Sequence, residues 1–289
     1  SPQGVVPQVG ALQGLRTMLG LQKKHLTTDS GSIAYWVSAD VEPGRPWLVF
    51  LPGLTADHRL FDKQVDHFAS KANLLFWDPP SHGQSRPFRL IWTMSDLARW
   101  LHEILEAERV ENPILIGQSM GGYTAQVYME LFPGEAAGFI SIDSCPLKRR
   151  YYNAAELFLL KHTKLMYLSF PWETLISIGS QGNTTTEYGC KLMETMMRDY
   201  EKHEYCELAA HGMRVLADAV ESKAAFDIAC PALLLCGTQD KAGSAKRYNK
   251  AWTKVSGIPL VWIEDAGHNS NTDRPDIVNA AIEEFVAGL

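Results

Sequence analysis

The sequence predicts an α/β fold, a mostly parallel sheet flanked by helices, with a helical cap inserted between the sixth and seventh strands. Three observations carry that prediction. Short apolar runs bounded by Gly and Pro recur along the chain, as in "WLVFLPG", "NLLFWDPP" and "NPILIG", the pattern of strands buried on both faces of a parallel sheet. Between these runs, apolar residues return at helical spacing. From about residue 146 to 226 the alternation stops, and Met- and Tyr-rich, helix-like sequence takes its place. That divides the chain into a core of residues 1–145 and 227–289 and a cap, or lid, of residues 146–226.

At the N-terminus, "ALQGLRTMLGL" sets Leu12, Leu15 and Leu19 near one face, which predicts a short docked helix, with a dimer contact or a loose arm as alternatives. "SIAYWVSA", from Ser32, alternates and runs into the turn signal "EPGRP", so it reads as an early strand. Trp47 and Asn73 open the next two strands, and Leu60, Phe61, Val65 and Phe68 between them recur at helical spacing. Leu97, Leu101, Ile104 and Leu105 repeat that spacing in a helix whose start Ser95 can cap. "NPILIG" is then a strand, the residues after Ser119 a helix, and "AGFISID" the sixth strand. Beyond the insertion come the strand "PALLLCG", a helix, the strand "PLVWIED" and a last helix ending near Phe285.

Composition narrows the function classes. With 289 residues, 46% of them hydrophobic, the chain can bury a large core as one big domain or a domain with an insertion. A net charge of −6 arises from scattered Asp and Glu with no long block, which argues against a nucleic-acid partner. The apolar runs fall short of the roughly 20 residues a membrane-spanning helix needs, so no integral membrane association is expected. The opening "SPQGVVPQVG" lacks the charged start and apolar centre of a signal peptide, and Ser1 in place of Met hints at trimming. Five cysteines with no CxxC spacing read as buried thiols in a reduced, cytoplasmic setting, and no metal or cofactor is expected.

The chemistry starts at Ser119. Gly117-Gln118-Ser119-Met120-Gly121 is a G-x-S-x-G sequence lying where a buried strand gives way to a helix. Small glycines on either side let neighbouring elements approach, and the strained corner projects the hydroxyl. A serine hydroxyl is a weak nucleophile without a base, usually His oriented by a carboxylate. Asp240, in "LLLCGTQDKAG", and His268, in "VWIEDAGHNSNTDRP", each follow a strand in the chain order this motif expects. Both fall at carboxyl ends of parallel strands, where open α/β sheets bind ligands. Asp143, in "SIDS", is a competing orienter at the end of the preceding strand, and it can instead bind backbone N–H groups. Donors for the developing oxyanion are expected from the backbone N–H of Met120 and of Leu54, in "FLPGLTAD".

With "LPGLT", "WDPPSHGQS", "GQSMGG", "GTQD" and "DAGHNSN" in place, the chain from Ser32 through its final helix resembles the α/β-hydrolase superfamily, in the branch with a helical cap. Pro52 stands where many relatives have His before Gly, and the HGGG sequence of lipases is absent. The stretch Asp78 to Ser85 resembles that superfamily's D-x-x-x-x-G-x-S loop, which implies a structural role for it, His82 included. Ser119 in place of Asp argues against a haloalkane dehalogenase. The resemblance implies esterases, lipases, thioesterases, amidases, C–C hydrolases, some lyases and hormone receptors.

The reading that fits best is a cofactor-free serine hydrolase acting on a small-molecule ester or related acyl compound of small or medium apolar character, as a monomer or homodimer. Ser119 attacks, His268 moves the proton and Asp240 holds the imidazole. Trp172 and Met193 are candidates to line an acyl pocket, and Arg149, within "KRRYYN", could hold an anionic group on the substrate. Helix packing and a solvated basic turn are the plainer readings of those residues. A C–C hydrolase or lyase using the same residues and a slow-turnover ligand receptor are the alternatives.

Overall fold

The computed structural model describes residues 20–289, so the segment with Leu12, Leu15 and Leu19 lies outside the described residues. In chain order the elements are β1 (Leu21–Thr28), β2 (Gly31–Ser38), β3 (Trp47–Leu51), α1 (Asp62–Phe68), β4 (Asn73–Trp77), α2 (Met94–Ala107), β5 (Ile114–Gln118), α3 (Met120–Leu131) and β6 (Gly138–Ile142). Then come the helices α4 (Ala154–Lys161), α5 (Lys164–Ser169), α6 (Trp172–Asn183), α7 (Glu187–Arg198) and α8 (Lys202–Glu221). The chain closes with β7 (Ala232–Gly237), α9 (Ala245–Ser256), β8 (Leu260–Ile263), α10 (Ser270–Asp273) and α11 (Pro275–Ala287).

The strands form one eight-stranded sheet in the order β1-β2-β4-β3-β5-β6-β7-β8. β1 and β2 pair antiparallel, as do β2 and β4, and every other pairing is parallel. Strands β3 to β6 bury every residue, because helices cover both faces. Side chains alternate between two apolar layers: Trp47, Val49 and Leu51 of β3 enter one, Leu48 and Phe50 the other. Helices α2, α3 and α9 close the first layer through Leu97, Leu101, Tyr128 and Trp252, while α1 and α11 close the second through Val65, Phe68, Val278 and Ile282. Burying each of these large side chains contributes about 1.5–3 kcal/mol.

Two local features differ from the sequence expectation. Leu21 belongs to an edge strand, β1, hairpinned to β2 through the turn at residues 29 and 30, so strand structure starts before Ser32. Its sequence, LQKKHLTT, has little apolar content because an edge strand covers few residues, and lysines there discourage pairing with another chain. Helix α2 is capped by Thr93 and not by Ser95: Thr93 Oγ1 accepts from Asp96 N at 3.2 Å and Asp96 Oδ2 accepts from Thr93 N at 2.8 Å. This reciprocal box satisfies two first-turn donors together.

The helices between β6 and β7 share the core of the sheet. Leu208, Ala209, Val215 and Leu216 of α8 lie in the layer that holds Met120 and Tyr128, whereas Leu192, Met193 and Met196 of α7 lie in the layer of Ile263 and Val278. At the N-terminal end of α7, residues 183–186 reach the loop after β8. Among the described residues, no helix is long and apolar enough to cross a membrane.

Candidate active site

The register of the parallel strands brings three loop residues to one end of the sheet. Gln118 pairs with Ile142, and Ser119 N donates to the Ile142 carbonyl at 2.9 Å, so Ser119 sits just past the carboxyl end of β5. Its backbone adopts φ 48° and ψ −116°, a conformation costing about 1–3 kcal/mol for a residue with a Cβ. The corner is held on several sides: the Ser119 carbonyl accepts from Ser144 Oγ at 2.7 Å and from Gly122 N at 2.9 Å. A Cβ on Gly121 would strike the Leu51 carbonyl, so only glycine lets α3 start this close to β3.

His268 follows β8 and Asp240 follows β7. The imidazole Nε2 lies 3.0 Å from Ser119 Oγ, and Nδ1 lies 2.9 Å from Asp240 Oδ2. The other Asp240 oxygen, Oδ1, accepts from Ala242 N at 2.8 Å. Burial alone would push the imidazole pKa down; the charge and hydrogen bond of Asp240, with the charge of Asp143 behind, outweigh it and hold the pKa above its ordinary 6.5.

Asp143 makes no hydrogen bond to the imidazole and gives both carboxylate oxygens to backbone amides. Its Oδ1 accepts from Gly237 N at 2.7 Å and its Oδ2 from Ser270 N at 2.9 Å, which ties the end of β6 to the end of β7 and to the segment after His268. Burial, then the nearby charge of Asp240, raises its carboxyl to about 7.

The amides of Leu54 and Met120 border the same corner. Met120 is the first residue of α3, where N–H groups lack intrahelical acceptors, and among the described residues neither it nor Leu54 donates to another protein group. The loop bearing Leu54 presses on the nucleophile: a Cβ on Gly53 would overlap Gln118 Oε1 and approach Ser119 Cβ to 3.0 Å. Gly212 of α8 backs directly onto the Leu54 side chain. Met120 N–H stands at the positive end of α3, directly after Ser119.

The remaining sequence candidates lie in different surroundings. Trp172 opens α6 and packs on Tyr205 of α8 with ring centroids 5.3 Å apart. Met193 is buried with Leu192 and Met196 in the layer of Ile263 and Val278. The Arg149 guanidinium donates to the Tyr152 carbonyl, and Lys148 pairs with Asp227. His82 is fully buried, its Nδ1 lies 2.9 Å from the Pro80 carbonyl, and burial pushes its pKa down to about 4. Asp78 at the head of that loop takes His58 N at 2.7 Å and Gln84 N at 2.6 Å, and Ser85 Oγ donates to its carbonyl at 2.6 Å, which holds the loop's shape.

Gln118 was not singled out in the sequence, although a long amide beside the nucleophile was visible in the motif. Its Nε2 donates to the His268 carbonyl at 2.8 Å and to Asn269 Oδ1 at 3.1 Å, joining the corner to the histidine loop. Among the described residues, two groups bring metal-type ligand atoms within 4.8 Å of one another, Asp57 with His58 and Asp78, and Asp143 with Cys236 and Asp240. In both, protein donors already engage the carboxylates: Arg59 bonds Asp57, amides bond Asp78 and Asp143, and Ala242 and His268 bond Asp240.

Residues 48–281 match the alpha/beta hydrolase family. Among curated proteins the chain is 26% identical to the 2-succinyl-6-hydroxy-2,4-cyclohexadiene-1-carboxylate synthase of Klebsiella pneumoniae, covering 85% of this chain and 96% of that one. It is 24% identical to 3-oxoadipate enol-lactonase 1 of Acinetobacter baylyi, covering 84% and 90%. Among solved structures, an enol-lactonase from Burkholderia xenovorans LB400 superposes with a TM-score of 0.72 at 19% identity over 91% of this chain and 100% of that one. A thermophilic esterase from Thermogutta terrifontis superposes with a TM-score of 0.73 at 21% identity over 92% and 98%.

Proposed function

The chain belongs to the alpha/beta hydrolase family, and from that membership and the site geometry we propose a serine hydrolase that cleaves a carboxylic ester through an acyl-enzyme. The observation that carries the reading is the unbroken line from Ser119 Oγ through the imidazole to Asp240, at 3.0 and 2.9 Å. Ser119 Oγ attacks the ester carbonyl as its proton passes to His268 Nε2. Asp240 keeps the hydrogen on Nδ1 and stabilises the imidazolium. The Leu54 and Met120 N–H groups receive the oxyanion. Collapse breaks the C–O bond, and His268 returns the proton to the departing alcohol. Water, giving one proton to His268, then attacks the acyl carbonyl, and as the bond to Ser119 Oγ breaks His268 returns that proton to the serine and the acid is released.

Residues 146–226 act in this reading as a cap over the core. Its support is the apolar layer that α8 shares with Met120 and the contact of Gly212 with Leu54, which favour a small or medium apolar acyl group beside the nucleophile. The basic turn lends less support to a substrate with an anionic end, since Lys148 is paired with Asp227 and the Arg149 guanidinium is turned to the Tyr152 carbonyl.

A screen of p-nitrophenyl esters of increasing chain length, with a fluorophosphonate probe, tests the proposal. Turnover of short to medium esters and a label that vanishes in Ser119→Ala are expected. Absence of ester turnover, or a label that survives the substitution, overturns it.

A further inference from the structure

Asp273 ends α10, in the segment that follows His268, and is only 5% exposed. Its Oδ2 accepts from Gly267 N, the amide just before His268, and from Thr185 N, each at 2.9 Å. Its Oδ1 accepts from Thr186 Oγ1 at 2.9 Å and from Thr186 N at 3.2 Å. One carboxylate thus gathers the backbone of the histidine loop and the corner between α6 and α7. Further bonds run alongside it: Asn269 N donates to the Asn183 carbonyl at 2.9 Å, and Thr185 Oγ1 to the Asp265 carbonyl at 2.6 Å. A Cβ on Gly267 would come within 2.8 Å of the Asn183 carbonyl oxygen, so glycine alone permits the two backbones to lie this close. Thr186 is also the N-cap of α7, accepting from Gly189 N at 3.1 Å, so the seam continues into that helix.

We propose that Asp273 is a positioning residue through which the α6–α7 corner of the helical insertion holds the His268 loop, so that the placement of the insertion sets the contact between the imidazole and Asp240. The inference rests on the reading of Ser119, His268 and Asp240 as nucleophile, base and orienter. An insertion that only walled a substrate pocket would change substrate binding when disturbed. One that braces the histidine loop changes the proton transfer itself, because small displacements of a base cost large factors in rate. Loops are otherwise the mobile part of such a site, and a buried carboxylate with four donors restrains this one.

The charged groups facing the imidazole are Asp240 directly and Asp143 behind it, and both raise its pKa. Among the described residues, Asp273 bonds backbone amides and one hydroxyl. Loosening the loop weakens the Asp240 contact and lowers the imidazole pKa, so the limb of any reaction needing neutral His268 moves to lower pH.

The test is the rate at which a fluorophosphonate labels Ser119 between about pH 5 and 9, measured on the whole chain as parent, Asp273→Asn, Thr185→Val and Thr186→Val. Asp273→Asn is expected to label about tenfold or more slowly with its limb moved to lower pH, and the threonine variants to show smaller changes of the same sign. A lower folded fraction alone would reduce the amount of active protein and leave the limb where it was. Folded variants that keep the parent's rate and limb overturn the proposal. If Asp273→Asn does not fold, the threonine variants decide: parent-like behaviour in both rejects the coupling. A parent that takes no label at Ser119 overturns the triad reading, and this proposal falls with it.

Discussion

His268 presents Nδ1 to Asp240 Oδ2 at 2.9 Å, while the second buried carboxylate nearby, Asp143, has both oxygens on the amides of Gly237 and Ser270. The two acids therefore have separable effects. Asp240→Asn is expected to lower kcat by about 10⁴ with the fold intact, because the amide selects the wrong imidazole tautomer. Asp143→Asn should lower the melting temperature more than the rate, since the amide keeps one acceptor oxygen and turns its NH2 toward the second of two buried N–H donors, Gly237 and Ser270. Ester kinetics and thermal melts of both variants check this, and the reverse pattern would transfer the orienting role to Asp143.

The pH dependence follows from the charge around the imidazole. His268 has to be neutral to accept the Ser119 proton, and Asp240 holds its pKa above 6.5 in spite of burial. Activity is therefore low in acid and rises along one limb centred above the ordinary histidine value. Measuring kcat/KM for a short ester between about pH 5 and 9 locates it. A flat profile, or a His268→Ala variant as active as the parent, contradicts the assignment.

Gly53 offers a way to disturb the loop of the proposed Leu54 donor while every triad side chain is kept. A Cβ there meets Gln118 Oε1 and Ser119 Cβ, so Gly53→Ala has to move the loop bearing the Leu54 amide. The expected result is a fall in kcat of about 10² or more with a smaller change in KM, as for loss of one donor. An alanine variant with parental kcat would show that the Leu54 N–H plays no part.

His82 contributes an acid sensitivity unrelated to the reaction. Folded, it titrates near 4, well below its ordinary 6.5, because burial disfavours the cation. Its contribution to stability is complete above about pH 6.5 and is lost as pH falls toward about 4, on the order of 3 kcal/mol at most. His82→Asn keeps an N–H near the position of Nδ1 for the Pro80 carbonyl and has no proton to take up. The melting temperature of the parent relative to this variant should drop steadily from about pH 7 to pH 4.5. The difference isolates His82 from Asp143, whose raised carboxyl acts with the opposite sign in the same interval. A constant difference would mean that His82 is protonated in the folded protein.

What the sequence determined by itself is what acts over a few residues. Apolar runs between Gly and Pro specify buried strands such as Trp47–Leu51, and apolar residues at helical spacing specify α2 and its buried face. The glycines around Ser119 are legible for the same reason, since steric crowding at a corner is a local property. Even the T-x-x-D box at Thr93 was present in the letters, although Ser95 drew the reading instead. The strand Leu21–Thr28 was not legible, because an edge strand rich in polar residues carries little apolar signal and owes its place to β2. The partner of His268 was open too: residues 143, 240 and 268 lie far apart in the chain, and only the register of β6, β7 and β8 puts one carboxylate on the imidazole and the other on backbone amides. Met193, Arg149 and Asp273 depended on the same kind of information. A methionine's layer, an arginine's acceptor and a carboxylate's four donors come from distant segments, so their surroundings exist only once the sheet and the inserted helices have packed together.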